Sequence, residues 1–152
     1  MTTRYNPPYF DFEICGVKRQ LPFVKIKDDI ALASFCIASD TELVQAVAPE
    51  LIKRLPEVDV LLTAEAKGII LTYKISRLLG MKDFVLARKS NKPYMQNVLE
   101  ATVYSITTQA KQTLYLDGCD AEKLRGKRVA IIDDVFATGN SLAALEKLAT
   151  LA

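Results

Sequence analysis

The residues best placed to do chemistry are Asp133 and Asp134, which end an apolar run and lie just ahead of Thr138, Gly139, Asn140 and Ser141. The whole stretch reads VAIIDDVFATGNS, a buried strand, two carboxylates and a short loop that leads into a helix. Backbone amides at a helix start point outward, and the helix dipole adds partial positive charge there. Gly139 lets the backbone approach an anion closely, and the hydroxyls of Thr138 and Ser141 can donate further hydrogen bonds. Residues Val135, Phe136, Ala137, Thr138, Gly139, Asn140 and Ser141 thus form a cradle for one phosphate monoester. The carboxylates upstream can accept from vicinal hydroxyls or face a cation. One phosphate beside a diol describes a ribose 5-phosphate.

Paired acids after a strand also commonly do no more than end it and cap the next helix. A Walker B strand ends the same way, but it requires a GxxxxGK[ST] loop, which this chain lacks, and GxGxxG is missing too.

Two other segments could hold anions. Thr63-Ala64-Glu65-Ala66-Lys67-Gly68 follows an apolar run, and Arg88-Lys89 follows another. Either alone reads as a plain strand-to-helix turn or a solvated strand end. Together, beyond buried strands, they suit a diphosphate.

These residues need elements to hold them. Asn6-Pro7-Pro8 is an irregular entry, and the stretch to about Leu32 reads as short strands and turns, so residues 1–29 form an irregular N-terminal segment. Ser39 and Glu42 have capping-box spacing, and Leu43, Val44, Val47, Leu51, Ile52 and Leu55 recur at helical period. Pro49 should kink or divide that helix. Val58 to Thr63 predicts a strand buried on both faces, Gly68 to Leu79 a helix stopped by Gly80, and Phe84 to Ala87 a second buried strand. Residues 90–116 turn polar and β-rich, which predicts a flexible antiparallel flap. Arg128 to Ile132 is the clearest strand, and Leu142 to Leu148 a helix. Strands alternating with helices, each strand near-continuously apolar, predict an α/β fold with a parallel sheet in one domain spanning 1–152. Ligands of such sheets bind beyond the carboxyl ends of the strands, where all three segments fall.

Composition bounds the rest. The chain has 152 residues, 50% apolar and 25% charged, which places it among globular proteins. Its net charge of +2 demands no nucleic-acid partner. Cys15, Cys36 and Cys119 are scattered, arguing for reduced thiols in a cytoplasmic protein over a disulfide framework or zinc site. With no histidine, Ser-His-Asp and Cys-His catalysis are excluded within this chain. The N-terminus has no signal-peptide core, and no apolar run approaches the roughly 18 residues of a membrane span.

VAIIDDVFATGNS closely resembles the phosphoribosyl pyrophosphate signature of type I phosphoribosyltransferases, with Asn140 where glycine is frequent. TAEAKG is similar to the E-A-[RS]-G diphosphate loop of the adenine and xanthine branch, with Lys67 in place of arginine or serine. FVLARK resembles the strand and basic pair that follow there. The resemblance runs from about Ile30 to the end. It implies the type I fold with a hood over the site. It further implies a purine-type enzyme that converts a free base and phosphoribosyl pyrophosphate to a nucleoside 5′-monophosphate and pyrophosphate. It carries Asp133, Asp134 and Tyr104 over as catalytic residues, residues 135–141 as the 5-phosphate loop, and Ala64, Glu65, Ala66, Lys67, Gly68, Arg88 and Lys89 as the diphosphate site. Mg²⁺ and a homodimer are implied as well, with no metal ligand assigned to the protein and no base-contacting residue identified. Ile37 stands where the xanthine enzymes carry a base-reading asparagine, which argues against xanthine. Some relatives are regulators that sense the same substrate without turnover. Finally, the fold normally adds a strand after the last helix, so the chain is expected to lack that strand, leaving Leu145 and Leu148 partly uncovered unless a partner covers the sheet edge.

Overall fold

The computed structural model describes residues 9–27, 30–104 and 111–152. Its centre is a parallel sheet of three strands in the order β5-β4-β8, with β4 at Val60–Ala64, β5 at Val85–Ala87 and β8 at Val129–Ile131. Leu62 pairs with Val85 on one side and Ile131 on the other, so all three strands end at the same edge. Asp59 fixes the register of β8: its carboxylate accepts from the Arg128 amide at 2.9 Å and from Arg128 Nη2 at 2.8 Å.

Strand alternation explains why β4 is apolar at every position but Thr63. Leu61 faces one core and Leu62 the other, and both are fully buried. The Leu61 side is covered by helices α1 (Thr41–Ile52) and α2 (Gly68–Leu78), through Leu43, Val44, Leu71 and Ile75. The Leu62 side is covered by α3 (Gly118–Leu124) and α4 (Asn140–Leu151), together with the hairpin of β6 (Leu99–Tyr104) and β7 (Lys111–Leu116). Each leucine buried in these layers contributes about 1.5–3 kcal/mol. Helix α2 stops as expected at Gly80, where Met81 N–H donates to the Ser76 carbonyl and Gly80 N–H to that of Arg77.

The structure corrects several expectations. The described part of residues 1–29 is not irregular: β1 (Tyr9–Ile14) and β2 (Val17–Lys27) form a hairpin about Cys15-Gly16, extended by β3 (Ile30–Ala33). Both turn residues have positive φ, the backbone of a tight two-residue loop. Phe12 against Phe35, at 5.4 Å between ring centroids, and the buried Val17 hold it to the body. The α1 cap is Asp40, not Ser39. The Asp40 carboxylate accepts from Leu43 N–H while Arg19 of β2 donates to both its oxygens, which fixes it in place. Pro49 does not divide α1, which runs through it from Thr41 to Ile52. The flap is not polar at its base: Ala101, Leu114 and Leu116 are fully buried, and a helix, α3, follows it unforeseen. That same hairpin covers α4, so Leu145 and Leu148 are fully buried and not partly uncovered as expected. Ile37 is also core, 3% exposed and packed among α1 and α2 residues.

Candidate functional site

Because β4, β5 and β8 are parallel and in register, the segments that follow them meet at one sheet edge. Glu65 lies just past β4, Arg88 and Lys89 past β5, and Asp133 and Asp134 past β8.

Glu65 is tied across the edge to the next strand. Its Oε1 accepts from Arg88 Nη1 at 2.7 Å, its Oε2 from the Lys89 amide at 2.9 Å, and its own amide donates to the Ala87 carbonyl. The Lys89 amide and then the Arg88 guanidinium hold the Glu65 carboxyl below its ordinary range. Glu65 therefore stays charged and fixes the Arg88 guanidinium above the strand end. Ala66 and Lys67 are exposed beside it, and the Glu65–Ala66 peptide is cis. Gly68 is buried beneath them. A Cβ there would lie 2.5 Å from Thr63 Oγ1, 3.2 Å from the Ile132 carbonyl oxygen and 3.3 Å from Asp133 Cα. Only a residue without a side chain lets this loop close against the carboxylate pair.

Asp133 is half-buried and accepts from the Asp134 amide at 2.8 Å. Burial pushes its carboxyl above the ordinary range. Repulsion from Asp134 adds to that, while the Asp134 amide and the Lys89 charge oppose it. Asp134 Oδ2 is buried without a hydrogen-bond partner among the described residues. A buried acceptor left so is costly, and a ligand hydroxyl or hydrated cation would satisfy it.

Beyond the pair, Val135 to Thr138 are exposed and the chain turns into α4 at Gly139, whose φ of +78° other residues rarely adopt. Residues 135–142 line a small, open hollow of about 80 Å³. Ser141 lies on the first turn of α4, and its Oγ accepts from Gln112 Nε2 of β7 at 3.0 Å. Spacing along the chain did not single out Gln112; the signal lay in the alternation of β7. A larger hollow of about 580 Å³ lies along the β1–β2 hairpin, away from these segments. Its Arg19 is already bound to Asp40 and Glu42.

Tyr104 ends β6 opposite Lys111, and Ser105 lies outside the described residues. No group of three or more His, Cys, Asp and Glu side chains that could hold a metal occurs among the described residues. The three cysteines are free and exposed. No helix among the described residues is long and apolar enough to cross a membrane.

The family model described as phosphoribosyl transferase domain matches residues 41–150. A hypoxanthine/guanine phosphoribosyltransferase of Methanothermobacter thermautotrophicus is 34% identical over 108 residues, covering 70% of this chain and 52% of that protein. The chain thus spans about half the length of such curated relatives. Among solved structures, an adenine phosphoribosyltransferase from Thermoanaerobacter pseudethanolicus superposes with a TM-score of 0.70 at 24% identity, covering 86% of this chain and 76% of that one. The adenine enzyme of Trypanosoma brucei, in complex with AMP, pyrophosphate and ribose-5-phosphate, superposes with a TM-score of 0.66 at 19% identity. It covers 95% of this chain and 59% of that one.

Proposed function

The chain belongs to the phosphoribosyl transferase domain family, and on that premise we propose that it makes a purine nucleoside 5′-monophosphate and pyrophosphate from a free base and phosphoribosyl pyrophosphate. The observation that carries this reading is the meeting, at one sheet edge, of a glycine-turned loop at a helix start, a carboxylate pair, and the two segments bearing Lys67 and Arg88-Lys89. The order across that edge, basic residues after β5 and β4 and the carboxylates and loop after β8, suits a ligand with a phosphate at one end of a ribose and a diphosphate at the other.

In this reading residues 135–141 take the 5-phosphate, with Thr138 and Ser141 donating hydroxyl hydrogens beside the α4 amides. Asp133 and Asp134 accept from the ribose hydroxyls, and Asp134 Oδ2 then gains a partner. Lys67, Arg88 and Lys89 neutralise the diphosphate as the bond to the anomeric carbon breaks, while Glu65 keeps Arg88 aimed. Tyr104 belongs to the catalytic hood. The base attacks the anomeric carbon through a ribosyl cation-like state, so orientation and leaving-group stabilisation carry the rate.

Mg²⁺ fits the oxygen-rich donor set. It keeps several waters, binds substrate phosphates and needs only one or two protein carboxylates, which Asp133 and Asp134 can supply. When bound, it adds positive charge against the departing diphosphate. A cytoplasmic homodimer belongs to the same proposal.

The test is pyrophosphate release from Mg-phosphoribosyl pyrophosphate with adenine, hypoxanthine, guanine or xanthine. Base-dependent release is expected with at least one purine, and it should fall about tenfold or more when Asp133 and Asp134 are both changed to asparagine, which is about 1.4 kcal/mol. Release that ignores that double change in a folded protein would defeat the reading.

A further inference from the structure

Strand β7 presents Gln112, Leu114 and Leu116 on one face, and both leucines are fully buried against α4. On α4 the facing stripe is Ser141, Leu145 and Leu148, one side of the helix at spacings of four and three. Leucines therefore meet leucines along most of this contact, and at its end a polar pair meets, Gln112 Nε2 donating to Ser141 Oγ at 3.0 Å. A hydroxyl carries one donor and two acceptor positions. With Gln112 filling an acceptor position, the hydroxyl's own proton is left to point elsewhere, and Ser141 borders the hollow formed by residues 135–142.

We infer that Gln112 is a positioning residue for the 5-phosphate: it fixes the Ser141 hydroxyl as a donor toward the phosphate, and so couples the flap hairpin to the phosphate loop. This rests on the reading of residues 135–141 as the 5-phosphate site. A glutamine that merely fills the end of a leucine row would be replaceable by methionine, which has similar length and no donor. A positioning glutamine would not.

The experiment measures binding of ribose 5-phosphate and of inorganic pyrophosphate to the full chain by calorimetry. The variants are Ser141→Ala, Gln112→Met, Gln112→Glu and the double variant Gln112→Met with Ser141→Ala. Gln112→Met should weaken ribose 5-phosphate about threefold to tenfold, as expected for one hydrogen bond, and leave pyrophosphate unchanged. Gln112→Glu should lose more, because its carboxylate accepts a hydrogen bond from the Ser141 hydroxyl, turning that donor away from the phosphate, and repels the phosphate. In the double variant the loss should match Ser141→Ala alone, since both act through one hydroxyl. Wild-type ribose 5-phosphate affinity in Gln112→Met or Gln112→Glu, with Ser141→Ala still impaired, overturns the role of Gln112 while sparing the phosphate loop. Wild-type affinity in Ser141→Ala overturns the loop reading itself, and this inference with it. Equal losses of both ligands in Gln112→Met would mark general loosening and also overturn it.

Discussion

A side chain begun at Gly68 would lie 3.3 Å from the Cα of Asp133, so the loop after β4 and the carboxylate pair after β8 are packed backbone to backbone. This contact sets how far the proposed diphosphate end lies from the ribose end. Gly68→Ala should therefore cost about 1–3 kcal/mol of stability, as overpacking does, read from the midpoint of urea unfolding. Thr63→Ala in the same chain should recover only part of it. That change removes the 2.5 Å clash with Thr63 Oγ1 and leaves those with Ile132 and Asp133. A fully stable Gly68→Ala variant would mean that the two loops can part without cost.

Glu65 and Arg88 make a pH-dependent contribution whose sign follows from the lowered Glu65 carboxyl. A carboxylate held below its unfolded range stabilises the fold above that range, and the benefit is lost as pH falls through the folded value. The gap in unfolding midpoint between wild type and Glu65→Gln should be full at about pH 7 and shrink once pH drops below the ordinary glutamate value of 4.5. A gap independent of pH would assign the effect of the substitution to packing alone.

Lys67→Ala and Arg88→Ala separate the two ends of the proposed ligand. Lys67 precedes α2 and Arg88 follows β5, and neither lines the hollow formed by residues 135–142. Each should weaken pyrophosphate about tenfold, the loss of a charge-assisted contact, and a nucleoside monophosphate much less. Equal losses for both ligands, measured by calorimetry, would contradict this division.

How much of this is legible in the sequence depends on how each element is buried. Strands β4, β5 and β8 lie between two layers, so they read as nearly continuous apolar runs and the residues after them can be named in advance. The N-terminal hairpin has Tyr9, Phe10, Val24 and Ile26 exposed, so its apolar residues do not mark a single buried face. The hairpin of β6 and β7 buries only one face, through Ala101, Leu114 and Leu116, while Thr102 and Thr113 bond to each other on the other. Its threonines and glutamines make all of it read as a solvent-facing flap. Ser39 and Asp40 are both good caps one residue apart. Arg19, distant in sequence, favours Asp40, and no local pattern contains that information.

Asp133 should show opposite effects on stability and on binding. Its carboxyl is raised chiefly by burial, so the folded state holds its proton more tightly than the unfolded state does. A group of that kind makes stability fall as pH rises between the unfolded and folded values, because the native state binds more protons there. At about pH 7 the charge has been forced on a half-buried site beside Asp134, and the fold carries that burden. An asparagine in its place would have no charge, while its side-chain oxygen could still accept from the Asp134 amide as the aspartate does. Asp133→Asn should therefore leave the fold as stable as wild type or more so at about pH 7, with the difference narrowing toward acid pH. Binding of phosphoribosyl pyrophosphate with Mg²⁺ should weaken about tenfold, since a charged acceptor for the ribose hydroxyls is lost. Thermal unfolding across pH and calorimetric titration of the same variant check both halves. A destabilised Asp133→Asn variant that binds normally would show that the carboxylate serves the fold and not the ligand.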